Sequence, residues 1–167
     1  AGIQTPHTIA VAGTTAMGPA SAQMAVPFIT KHNQGGKGLG VQLFRSHEGF
    51  TNFIETGAFE DSPDSINLLQ QYIEPAQQFI TRVEIVDGKF LYALRSSTED
   101  GFELCPADAC SVGDLFCPAP NSGGTKAEKF QVRQDVKAND PLVQAYLTFC
   151  HHHGIDVAGI EFVEDAQ

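Results

Sequence analysis

One dipeptide does most to fix the architecture. Asp87-Gly88 stands between two β-prone runs, Phe79–Val86 and Lys89–Arg95. Asp-Gly supplies the two positive-φ positions of a type I′ turn, whose twist matches that of paired strands, so an antiparallel hairpin is predicted. A two-residue loop sets the register: Val86 should face Lys89, Glu84 face Leu91, Arg82 face Ala93 and Ile80 face Arg95. That register puts Arg82 and Arg95 on one face as diagonal neighbours, about 5–8 Å apart. Like charges so placed repel unless an acid flanks them or an anion lies between. Two readings stand: Glu84 screens Arg82 on the same face, or the two guanidinium groups clamp a phosphoryl group or carboxylate.

The other elements follow from local punctuation. Thr8–Ala12 is β-prone, and the small residues of Gly13–Ala22 suit a loose helix. Pro27–Lys31 and Val41–Phe44 read as strands, Ser46–Gly57 as a short helix, and Ile66–Ile73 as an apolar run that Glu74-Pro75 must turn. Asn139-Asp140-Pro141 is an N-cap with Pro at the first helical position, and Gly154 stops that helix after His151-His152-His153. Histidines at a helix C-terminus complement its dipole, and adjacent ones fan out rather than converge on a metal. Gly159–Asp165 reads as a last strand, with Ile155, Val157, Gly159, Glu161 and Val163 on one face. Hairpins with segregated helices make the class α+β, and no internal repeat is present.

Charge and composition exclude several functions. Ten Lys+Arg against twenty Asp+Glu leave a net charge of -10, the opposite of a nucleic-acid footprint. No apolar run reaches the ~20 residues of a membrane span, and no charged segment followed by an apolar one opens the chain. A cytoplasmic protein that binds neither nucleic acid nor membrane is expected. Cys105, Cys110 and Cys117 cluster in the Gly-, Pro- and Ser-rich stretch 96–130, with Cys150 far off. Their spacing fits neither a disulfide scaffold nor paired zinc ligands, so reduced thiols in an irregular excursion are predicted. The opening Ala1-Gly2-Ile3-Gln4-Thr5-Pro6 and the closing strand both read as cut ends, so an excised fragment is expected.

Gly35, Gly36, Lys37, Gly38, Leu39 and Gly40 form a glycine-dense loop between two strands. Bare backbone N–H groups suit phosphates, because no Cβ keeps the anion away. A P-loop would need Ser or Thr after Gly36-Lys37, and a Rossmann turn would open a helix. Kinase signatures are absent. A strand–glycine loop–strand hairpin remains, with Lys31 at the end of its first strand, either as a flexible turn or as a loop that closes on phosphate.

From Phe28 to Val41 these residues resemble the ATP-grasp superfamily, in the carboxylate–amine ligase branch that includes glutathione synthetase and the ribosomal-protein glutamate ligases. Gln70-Gln71-Tyr72-Ile73, Thr81-Arg82-Val83, Tyr92-Ala93-Leu94-Arg95 and Ala158-Gly159-Ile160-Glu161-Phe162 resemble later motifs in the family's order. The resemblance implies an ATP-grasp fold, with a lid subdomain over 1–74 and part of a C-terminal subdomain over 75–167. It implies ATP and Mg²⁺ as cofactors, and small carboxylate and amine (or thiol) substrates, possibly amino acids or peptides, joined through an acylphosphate. Lys31, Gly35, Gly36, Lys37, Gly38 and Gly40 would hold phosphate, and Gln71, Tyr72, Ile73 and Glu74 adenine. Arg82 and Arg95 would hold the transferred phosphoryl or acyl group, and Glu161 magnesium. The chain departs from the family at Ile80-Thr81, where relatives often place an acid, and at Gln71, where many have Glu. A salt bridge from Glu161 to Arg82 or Arg95 is the alternative to a metal, and a non-catalytic nucleotide- or protein-binding module is the alternative to a ligase.

Overall fold

Period-two alternation of apolar side chains builds two four-stranded antiparallel sheets, the α+β class that the sequence predicts. The computed structural model describes residues 2–35, 41–98 and 130–165. It contains two units, Thr5–Ile73 and Ala1–Gln4 with Glu74–Gln167. Among the described residues no helix is long and apolar enough to cross a membrane.

In Thr5–Ile73, strands β1 (Thr8–Ala12), β2 (Phe28–His32), β3 (Gln42–Phe44) and β4 (Ile66–Gln71) stand in the order β1-β4-β2-β3. Helices α1 (Met17–Ser21) and α2 (His47–Glu55) cover one face, where Val11, Phe28 and Leu69 meet Met17, Ala20 and Phe50. Phe28 packs on Phe44 and Phe50 with ring centroids 5.7 and 5.3 Å away. Ser46 caps α2, its Oγ accepting from the Gly49 N–H at 3.1 Å and satisfying one orphan donor of the first turn. Helix α1 is shorter than the small-residue stretch suggests, because Gly13 takes φ 69° and donates to the Ser65 carbonyl instead of starting a helix. The opposite face of the sheet carries Ile29, Lys31, Leu43, Leu68 and Gln70, all half-buried.

In the other unit, β5 (Phe79–Val86), β6 (Lys89–Ser97), β7 (Phe130–Val132) and β8 (Val157–Phe162) stand in the order β7-β6-β5-β8. Helix α3 (Pro141–His152) packs Val143, Tyr146 and Cys150 against Val83, Ile85 and Ala93. Asp87 (φ 54°) and Gly88 (φ 63°) form the predicted turn. Its register does not carry through the hairpin. Val86 faces Lys89 and Ile85 faces Phe90, but a bulge at Glu84/Ile85 then brings Tyr92 opposite Glu84, Ala93 opposite Val83 and Leu94 opposite Arg82. Thr81, not Ile80, faces Arg95. The core overrides the turn: with the extra residue Leu91 looped out at 58% exposure, Ala93 reaches the buried face beside Val83 and Tyr92 moves outward.

The last strand also departs from simple alternation. Ile155 packs into the core with Ala158, Ile160 and Phe162, whereas Val157 is 72% exposed. Glu161 therefore lies on a solvated face and not among apolar neighbours. Cys105, Cys110 and Cys117 lie outside the described residues, and Cys150 is buried as a free thiol.

Candidate functional site

The outer face of the second sheet gathers its charges around Arg82. Alternation along β5 turns Arg82 and Glu84 away from α3, and β8 sets Glu161 opposite Arg82 and Gly159 opposite Glu84. The Arg82 Nε donates to Glu84 Oε1 at 2.6 Å, and Nη1 donates to Glu161 Oε1 at 3.3 Å. The Glu84 hydrogen bond, reinforced by Glu161, raises the Arg82 pKa above its ordinary value. The salt bridge from Glu161 to Arg82, one of the two partners considered for Glu161, is present. Glu84 and Glu161 flank one guanidinium, so this exposed cluster carries one net negative charge. Two carboxylates on an open face fit Mg²⁺, which takes one or two such ligands and completes its shell with water and phosphate oxygens. Among the described residues no group of three or more His, Cys, Asp or Glu forms a ready-made metal cage.

Arg95 does not join this cluster. The bulge pairs it with Thr81, which is buried on the α3 side of the sheet, so Arg82 and Arg95 point to opposite faces. The two-arginine clamp predicted from the turn register is thereby overturned. The neighbour that Arg95 does have is Arg133, a residue that sequence reasoning passed over. Both guanidinium groups lie by the Phe79 ring, 5.7 and 5.5 Å from its centroid. Arg95 donates to the Gln131 side chain; Arg133 donates to Thr81 Oγ1 at 2.9 Å and Glu164 at 2.6 Å, and also to Asp135. Phe79, Arg95, Gln131, Arg133, Asp135 and Glu164 line a cavity of about 520 Å³. The available signal was the β-prone Phe130-Gln131-Val132 just before Arg133, which the Gly- and Pro-rich stretch beside it obscures.

Arg133 is the better-buried arginine, 13% exposed against 43% for Arg82. Arg133→Met is expected to lower stability by about 2 kcal/mol in urea unfolding, since the Thr81 hydroxyl and two carboxylates lose their donor. Arg133 also holds the Asp135 carboxyl below its ordinary value of 3.8. A depressed carboxylate pKa contributes stability above the unfolded value and loses it as pH falls through the folded one. The gap between wild type and variant should therefore hold from neutral pH to about pH 5 and narrow as pH falls through the unfolded value of 3.8 and on through the lower folded one.

The first unit places Lys31 on the half-buried sheet face with Ile29 and Leu43, opposite Leu68 of β4. Gly35 lies against His32, where a Cβ would stand 3.1 Å from the His32 Cβ. Gly36, Lys37, Gly38 and Gly40 lie outside the described residues. The Gln71 N–H donates to the His7 carbonyl at 2.8 Å and its side chain accepts from the His7 N–H at 3.2 Å. Tyr72 N–H donates to the Pro27 carbonyl at 3.3 Å. Among the described residues the next two N–H groups, of Ile73 and Glu74, have no acceptor. A short backbone stretch with free donors beyond an ordered strand can pair with a flat heterocycle, whichever side chains it carries.

A family model described as the RimK-like ATP-grasp domain matches residues 1–104. A probable alpha-L-glutamate ligase of Aeromonas salmonicida (strain A449) is 29% identical over 141 residues, covering 84% of this chain and 40% of that protein. The chain thus spans about 40% of the length of this curated relative. Among solved structures, D-cycloserine synthetase DcsG has a TM-score of 0.61 and 20% identity, covering 99% of this chain and 54% of that one. The ATP-grasp ligase PsnB, complexed with minimal precursor, Mg and ADP, has a TM-score of 0.57 and 15% identity, covering 99% and 42%. These structural likenesses are likenesses of fold.

Proposed function

The chain belongs to the RimK-like ATP-grasp domain family, and from that premise we propose that it is part of an ATP- and Mg²⁺-dependent ligase joining a small carboxylate to an amine through an acylphosphate. The observation that carries this reading is the Arg82–Glu84–Glu161 cluster, a cation held between two acids on an open sheet face. A carboxylate oxygen would attack the γ-phosphorus of ATP, breaking its bond to the ADP oxygen. The amine would then attack the acylphosphate carbon, with phosphate leaving and the amine losing a proton. The protein's part in such transfers is charge neutralisation and positioning. Arg82 would hold an oxygen of the transferred group, and Lys31 with the 35–40 loop would hold the ATP phosphates. Ile73 and Glu74 would offer backbone to adenine. Magnesium, held by Glu161 and Glu84, would offset phosphate charge. Arg95, on the other face, has no part in the phosphoryl step in this reading. Need for ATP puts the reaction in the cytoplasm. The glutamate ligase relative favours an amino acid or peptide substrate.

ADP release by the full-length protein to which this chain belongs tests the reading, with Mg-ATP, L-glutamate and short peptides as acceptors and the ligated product followed by mass spectrometry. ADP formed in step with an amide product is expected. Saturable Mg-ATP binding with no product under any acceptor would leave a non-catalytic nucleotide-binding module. Lys31→Ala should weaken Mg-ATP binding about tenfold, as expected for a lost charge-assisted contact of ~1.4 kcal/mol. Lys37→Ala should weaken it less, because Lys31 is fixed by the β2–β4 ladder; equal losses in calorimetry would mean that strand placement does not decide the phosphate contact.

A further inference from the structure

We propose that Gly159 is the positioning residue for Arg82: its bare backbone is the surface on which the guanidinium lies between Glu84 and Glu161. Glycine inside a strand normally weakens it, because it brings extra chain entropy and no side chain to pack. Backbone conformation does not call for one here, since Gly159 is not among the positive-φ glycines. It sits within the β5–β8 ladder, directly opposite Glu84 and two residues from Glu161. A Cβ at this position would stand 2.5 Å from Arg82 Nε and nearer still to Cζ and Nη2, inside the 3.0 Å that real Cβ contacts essentially never breach. The space a side chain would fill is taken by the guanidinium.

The consequence is specific. The clashing atoms are the far end of a flexible side chain, so an alanine need not unfold the strand. It lifts the guanidinium off β8 and breaks the Nε–Glu84 bond, which at 2.6 Å is the shorter of its two charged contacts. Gly18 provides the contrast: nothing lies within 4 Å of a Cβ there, and its φ is ordinary. The geometric half of the inference stands independently of any activity; the effect on turnover rests on the ligase reading.

The experiment uses the whole chain, ¹⁵N-labelled, with the Arg82 Nε–H signal assigned by its absence in Arg82→Lys. In Gly159→Ala the exchange of that Nε–H with water should speed up about tenfold or more, the loss expected for a broken charge-assisted hydrogen bond. The melting temperature should hold or rise, and Gly18→Ala should leave the signal unchanged. An unchanged Nε–H in Gly159→Ala overturns the proposal. If that variant fails to fold, Gly159→Ala with Arg82→Met decides: recovery of the fold supports the proposal, and continued failure overturns it. A double-mutant cycle on the ATP-dependent reaction supplies the functional arm. Gly159→Ala should lower kcat/KM about tenfold in wild type and add nothing in an Arg82→Ala background. Additive losses would overturn action through Arg82. Should Arg82→Ala itself leave turnover intact, the ligase reading of Arg82 falls, while the Nε–H measurement still decides the glycine.

Discussion

Arg82→Ala is expected to lower turnover of the ATP-dependent ligation about 100-fold and leave the melting temperature almost where it was. The two effects separate because Arg82 is 43% exposed and its acidic partners are accessible too. Exposed ion pairs contribute about 0–1 kcal/mol to stability, since water solvates the separated charges nearly as well. Held in place before the reaction and aimed at a phosphoryl group, the same guanidinium acts where charge develops, and loss of one such donor costs about 10²–10³ in kcat. The measurement is steady-state ADP release at saturating ATP, beside thermal unfolding of the same sample. Arg82→Lys should restore part of the rate, because a point charge lacks the planar fork that meets two oxygens. Arg95→Ala should lose less than threefold, since Arg95 lies on the other side of the sheet. A small loss at Arg82 with a large one at Arg95 would assign the chemistry to the Phe79 cavity instead.

What could be read from the sequence follows a physical division. Local rules worked wherever the deciding contacts lie a few residues apart: the Asp87-Gly88 turn, the short helix within Ser46–Gly57, Pro141 at the start of α3 and Gly154 at its end. They failed where burial elsewhere in the chain decides. The turn fixes the Val86–Lys89 pair, but three elements determine what happens beyond it. Val83 must meet α3, Ala93 is the residue small enough to lie beside it, and Leu91 is looped out to reconcile the two. One bulge then reverses the face of every later residue of β6, Arg95 included. Ile155 shows the same competition on a smaller scale, turning inward before β8 begins because an apolar cluster is available to it.

That division also explains which charged groups were found. Arg82, Glu84 and Glu161 stand in strands whose alternation holds near them, and the expected Arg82–Glu84 screening and the Glu161–Arg82 bridge are both present. Arg133 escaped notice because, Asp135 apart, its partners are remote in sequence: Thr81 lies 52 positions away and Glu164 31. No spacing rule reaches so far. Gly159 was visible as a residue of the last strand, but its meaning depends on a side chain of a different strand lying across it.

The largest expected loss of stability is at Phe28, and it should carry nucleotide binding with it. Phe28 is fully buried at the start of β2, packed against Phe44, Phe50 and the His47 ring. Phe28→Ala removes an aromatic side chain from a site enclosed by other rings, which cannot collapse inward without breaking their own edge-on packing with one another. Phe→Ala at such sites costs about 3–5 kcal/mol, a large part of the ~5–15 kcal/mol that a domain has. The strand it anchors is the one that carries Lys31 and pairs, through Phe28 itself, with Gln71 of β4. Loosening β2 therefore releases both the lysine and the end of the strand from which Tyr72, Ile73 and Glu74 follow. Urea unfolding should show a fall of at least ~3 kcal/mol, and calorimetry with Mg-ATP should show binding weakened in proportion to the unfolded fraction. Phe28→Leu, which keeps most of the volume, should recover more than half of the loss. A fall below ~1.5 kcal/mol in Phe28→Ala would mean that the ring cluster closes over the gap, and the support of Lys31 would then have to come from the β2–β4 ladder alone.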